Sequence, residues 1–152
     1  MAPLVVLVGL FVGFFAVGLA GVSFFAGWVT PLRFALAGMF LLTASAHWGR
    51  RRPDLIRMVP PAFPRPGLLV TLTGLLEFLG AVGLLIPGLA PYAALGLSLL
   101  LLALFPANVH AARARLAIGT RPVMALLPRA LVQILFLLAT LAVFVAPRQG
   151  VS

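Results

Sequence analysis

Cysteine is absent from this chain of 152 residues, and so is lysine, because all eleven basic residues are arginine. The lack of cysteine excludes a disulfide framework, a thiolate metal site and any dithiol relay within the chain. It carries no information on redox compartment. Acids are nearly missing as well: only Asp54 and Glu77 oppose the arginines, and the net charge is +9. Charged residues make up 9% of the chain against roughly 25% in soluble domains, so no water-facing surface can be built from this composition. In a soluble protein such a basic balance would suggest nucleic acid. Here the aromatic–basic interleaving that single-strand binding uses is missing, and nucleic acid is excluded as a partner. The arginines cluster between apolar segments, where membrane orientation and anionic headgroups account for them.

What is present is apolar: 63% of the residues, with a mean hydropathy of +1.21. Five segments can be marked, at residues 4–25, 32–48, 68–86, 92–110 and 123–145. Each is close to the 17–25 residues that a spanning helix needs. Helices are required, because an isolated strand would leave its backbone unpaired in lipid. The expected fold is an all-α polytopic membrane helix bundle, with residues 1–152 forming one transmembrane domain. Prolines punctuate the joins, at Pro31, Pro53, Pro60, Pro87 and Pro122 among others. The first segment reads as a retained helix rather than a signal peptide, since Met1-Ala2-Pro3 has no basic residue and the apolar core is too long. Gly9 and Gly13 have the spacing of a close-packing pair, with Gly13, Val17 and Gly21 continuing the face. The general abundance of glycine in membrane helices explains them equally well.

Arginine placement predicts orientation. Arg50, Arg51, Arg52, Arg57 and Arg65 follow the second segment, and Arg113, Arg115, Arg121 and Arg129 lie between the fourth and fifth. Only Arg33 and Arg148 fall on the other side of a five-span chain. The arginine-rich loops and the N-terminus are therefore expected in the cytoplasm and the C-terminus outside. Within the first of these loops, residues 53–60 read either as a turn or two of interfacial helix or as a proline-stiffened loop.

Few residues could carry chemistry. Glu77 sits within the apolar third segment, where a charged carboxylate costs about 2.5 kcal/mol or more on insertion scales and so needs a reason. It is a protonated carboxyl hydrogen-bonded to Thr73, Gln133 or a backbone carbonyl, a proton-handling or ligand-binding group, or a carboxylate exposed to a water-filled groove. Gln133 lies at the better depth to meet it; Asn108 is too near the membrane surface for direct contact. His47, beside Trp48, reads as an interface histidine, and His110 lies at a similar level. A bis-histidine haem site would need both rings facing inward, which two helix-end residues do not favour. Zinc lacks a third ligand, so no metal is expected. Pro106 should kink the fourth segment, with the Asn108 amide helping to satisfy the break. Four serines and two histidines without an orienting acid give no hydrolytic triad, and no glycine-rich phosphate loop is present. The candidate buried polar pocket is therefore Glu77, Gln133, Asn108, His47 and His110.

These residues carry a family resemblance. Residues 33–40 and Ala46-His47-Trp48 look like the opening helix of DoxX-like membrane proteins. Met58-Val59-Pro60-Pro61 follows, then Thr73-Gly74-Leu75-Leu76-Glu77, then residues 80–87, and Phe105-Pro106-Ala107-Asn108-Val109-His110 completes the match. The resemblance covers about residues 31–145 and implies a four-helix core in a bacterial inner membrane, with the first helix an addition. The family takes its name from a subunit of a thiosulfate:quinone oxidoreductase. Some relatives are linked to redox-stress complexes, and another is a receptor-assembly chaperone, so the fold does not fix the function. Related thiol-redox proteins use paired cysteines that this chain lacks. Glu77, Asn108, His47 and His110 correspond to motif positions without an assigned role. The expected function is a membrane subunit associated with quinone or redox-stress chemistry, with its own catalysis left open. A quinone is the cofactor considered, and the bilayer and other membrane or redox proteins are the partners. The alternatives are a membrane assembly or scaffold protein without catalysis, and a small proton-coupled transporter, the latter weakened by the lack of an inverted repeat.

Overall fold

The computed structural model describes residues 2–122 and 124–147, so Arg148 lies outside the described residues. The chain forms an all-α bundle: α1 (Ala2–Leu19), α2 (Val29–Ser45), α3 (Arg52–Met58), α4 (Pro66–Leu85), α5 (Ala90–Arg113) and α6 (Leu126–Val145). Helices α1, α4, α5 and α6 are each long and apolar enough to cross a membrane, which makes this a membrane protein.

Local sequence sets most of the boundaries. Pro53, Pro66 and Pro91 each stand in a first turn, where the missing N–H has no intrahelical partner to lose. Val59 and Ile86 turn extended directly before Pro60 and Pro87, as residues preceding proline do. The first apolar segment ends earlier than the sequence suggests. Gly21, with φ at 101°, turns the chain, and Ser23–Phe25 make a single 3-10 turn.

Helix α2 has 17 residues, about 25 Å of rise, and is the shortest of the five long helices. It is also the most deeply packed, touching α1, α4 and α6. Ala35, Leu36, Ala37, Met39 and Phe40 are buried at the centre of the core with Leu84 and Leu97. Exposed Trp28 and Trp48 stand just beyond its two ends, where indole rings suit the membrane–water boundary. Helix α5 packs between α4 and α6.

Glycines permit the close approach of α4 and α5. A Cβ added at Gly80 would lie 2.6 Å from Leu97 Cγ, and one at Gly83 would lie 2.8 Å from Ala93 Cβ. The Gly9 and Gly13 pair behaves otherwise, since nothing stands within 4 Å of either position. Arg33 closes the other end of the bundle: its Nε donates to Leu84 O at 2.9 Å, meeting one of the carbonyls that the end of α4 leaves free.

The two arginine-rich connections meet at one end. Residues 53–60 are helical in their first part, as α3. A short hairpin, β1 (Ala117–Ile118) and β2 (Arg121–Pro122), faces it across a turn with Gly119 at φ 61°. Asp54 Oδ2 accepts the Gly119 N–H at 2.7 Å, and Arg57 donates to the same carboxylate. Those two donors hold the Asp54 carboxyl below the usual carboxylate range.

Candidate functional site

The five candidate residues do not converge. Four of them divide between two interhelical interfaces, and His110 stands apart. At the first, between α2 and α4, His47 and Glu77 face one another, with Nδ1 and Oε2 4.0 Å apart and both residues buried. His47 lies just past the end of α2 and packs against Gly74, where an added Cβ would come within 2.5 Å of the His47 Cβ. Only a glycine lets the ring come so close to α4.

The sequence suggested Gln133 as the partner best placed in depth for Glu77. The structure corrects this for a geometric reason. Helix α2 stops short, so its end lies level with Gly74 rather than with Pro66. The first two turns of α4 extend past α2 and are held from the side by Arg52. That guanidinium donates to His47 O (2.8 Å), Gly67 O (3.0 Å) and Thr71 Oγ1 (2.9 Å). His47 thus has a carboxyl nearby, at a distance too long to orient the ring.

The geometry limits what this pair can do. His47 Nδ1 is 3.1 Å from Thr43 O, and a carbonyl only accepts, so Nδ1 carries a proton in that contact. The separation from Glu77 is beyond hydrogen-bond reach. Glu77 Oε2 is buried with no hydrogen-bond partner among the described residues. A carboxyl so placed is destabilising for the fold and chemically available.

The second cluster joins α5 to α6 and is closed on itself. Arg129 donates from Nε (3.0 Å) and Nη2 (2.6 Å) to Asn108 Oδ1. Asn108 Nδ2 donates to Gln133 Oε1 (2.6 Å), and Gln133 Nε2 donates to Leu101 O (2.5 Å). Leu101 O stands next to Leu102 O, the carbonyl that Pro106 deprives of its N–H donor, and the Asn108 amide donates to Gln133 rather than into that break. One turn or more further along, Ser98 Oγ donates to Thr140 Oγ1 at 2.8 Å, with both residues buried. Sequence reading overlooked Arg129 as a member and the Ser98–Thr140 pair altogether. Two antiparallel apolar helices with isolated polar residues at matching heights would have been the signal. His110, half-buried on α5, has no side-chain hydrogen bond among the described residues.

No metal-binding group of three or more ligating side chains occurs among the described residues. A recess of about 330 Å³ opens between α4 and α5, lined by Leu76, Leu79, Gly80, Gly83, Tyr92 and Leu97 among others. Glu77 does not line it. A quinone would need an apolar slot with donors at its carbonyls. Gln133 and Asn108 already donate within their own cluster, and His47 and Glu77 lie at another interface. These five residues do not fit one quinone pocket.

A family model described as Domain of unknown function (DUF8561) matches residues 36–146. The chain belongs to that family. The DUF8561 region contains both polar clusters and leaves α1 outside it. No curated protein and no solved structure matches the chain.

Proposed function

We propose that this DUF8561 protein is a DoxX-like membrane subunit of the bacterial inner membrane that lends a protonatable centre to redox chemistry carried by a partner. The observation that supports the reading is Glu77 beside His47: a buried carboxyl whose Oε2 has no hydrogen-bond partner among the described residues, next to an imidazole, inside a membrane helix bundle. Such a group is retained against a folding cost when it exchanges a proton. Any quinone would belong to the partner or to the shared boundary, because this chain's donors do not assemble a pocket for one. The arginine-rich loops and the N-terminus face the cytoplasm, and the C-terminus faces outward.

Purification in native lipid, with mass spectrometry of what accompanies the chain, tests this. A redox protein or a quinone should co-purify, and Glu77→Gln should abolish the activity of that assembly while the chain still inserts. Neither companion, together with a silent Glu77→Gln, would refute the reading. A scaffold without catalysis is the second reading. It is favoured by Gly9 and Gly13, whose open positions on α1 leave room for a partner helix. Under it, bulky residues at Gly9 and Gly13 would abolish assembly and Glu77→Gln would not.

A further inference from the structure

The arginines at the loop-rich end fall into two sets. Arg52, Arg57 and Arg129 are engaged by the protein itself, with His47 O, Asp54 and Asn108 among their acceptors. Arg50 and Arg51 are exposed, and their guanidiniums have no hydrogen-bond partner among the described residues. They stand at the turn from α2 to α3, over a recess of about 320 Å³ lined by Leu42, Ser45, Ala46, Gly49, Arg50 and Arg51. Leu42, Ser45, Ala46 and Gly49 recur at helical spacing, so the recess continues one face of α2 past its end. The Ser45 hydroxyl is turned back onto Leu42 O at 2.7 Å, which leaves an outward wall of mainly apolar character. At Gly49 an added Cβ would meet only Ser45 O, at 3.3 Å, so the floor beneath the guanidiniums is backbone.

The geometry points to a binding site for an anionic phospholipid, with its phosphate between Arg50 and Arg51 and an acyl chain along Leu42 and Ala46. Charge decides the headgroup. Two unpaired guanidiniums present several N–H donors to phosphate oxygens, and Asp54, the one acid nearby, is already held by Arg57 and Gly119. The apolar wall decides between a lipid and a free phosphate. It runs down the outer face of a membrane helix, where an acyl chain lies and an inorganic ion gains nothing. Exposed Trp48 marks the same level as the membrane–water boundary. This inference rests on the membrane placement and is independent of the redox reading.

Native mass spectrometry of the full chain released from vesicles of equal phosphatidylglycerol and phosphatidylcholine reads the site directly. The wild type should retain phosphatidylglycerol preferentially. Replacing Arg50→Gln and Arg51→Gln together should lower that retention about five-fold per arginine, roughly 25-fold in all. Arg113→Gln with Arg115→Gln, at the end of α5, should leave it unchanged. Equal retention of the two lipids by the wild type would overturn the proposal without any variant. So would an equal loss on the Arg113 and Arg115 pair, which would show diffuse charge attraction, or displacement of the lipid by inorganic phosphate.

Discussion

Glu77 Oε2 faces His47 Nδ1 at 4.0 Å across the α2–α4 interface, and Gly74 makes the approach possible. The carboxyl gains no hydrogen bond on Oε2 from this arrangement. Replacing it with an apolar side chain of similar size removes a buried oxygen that lacks a partner among the described residues. Glu77→Leu should therefore stabilise the bundle, by about 1–3 kcal/mol, as read by reversible unfolding in mixed micelles. A clear loss of stability would mean that Oε2 has a partner in the folded protein.

The Arg129–Asn108–Gln133–Leu101 relay should behave as one unit. Asn108→Ala strips Gln133 Oε1 of its donor and Arg129 of its acceptor, and Gln133→Ala removes the acceptor of Asn108 Nδ2 and the side-chain donor to Leu101 O. A double-mutant cycle between the two should give a coupling of about 0.6 kcal/mol or more, up to the maximum of about 1.7 kcal/mol found for membrane hydrogen bonds. Strict additivity would show that the two amides do not sense one another.

Small-residue packing gives a sharper contrast. Gly80→Ala pushes a methyl into Leu97 and should cost about 1–3 kcal/mol by overpacking. Gly96→Ala, where nothing stands within 4 Å, should be near neutral. Leu97→Ala should rescue the first change if contact with Leu97 is the cause. Thermal unfolding in lipid nanodiscs distinguishes the three.

These glycines also show what the sequence could and could not reveal. Gly9 and Gly13 have the better-known close-packing spacing, yet the internal contacts are made by Gly80 and Gly83. The helices are apolar all round, so no polar face says which side points inward. Proline placement made the long helices legible, while the stretch that holds α3, with its Pro53, Asp54 and closing Pro60, read equally as a helix or a stiffened loop. The pairing of His47 with Glu77 was not legible. It depends on how far α4 slides past the end of α2, and that offset is set by tertiary packing at Gly74 and by Arg52. The hairpin at 117–122 was missed for a related reason: two-residue strands carry no periodicity, and this one is held by Asp54 from another loop.

The Asp54 latch should respond to acid. Its carboxyl titrates below the ordinary value of about 4 because the Gly119 N–H and the Arg57 guanidinium favour the charged form. A depressed folded value means that the contribution is complete above the ordinary pKa and disappears as pH falls through the folded one. Hydrogen exchange at the Gly119 amide, corrected for intrinsic rate, should lose protection in that acidic range. Asp54→Asn should remove the pH dependence. Protection that persists unchanged to low pH would contradict the latch.

The most direct test uses the missing cysteine, because a single introduced thiol has no background. Intact cells and permeabilised membranes carrying Glu77→Cys or Arg50→Cys can be treated with a membrane-impermeant maleimide. The account predicts that residue 77 resists labelling in both, while residue 50 is labelled once the inner face is opened. Labelling at residue 77 as rapid as at residue 50 would place the carboxyl in water and contradict the buried pair.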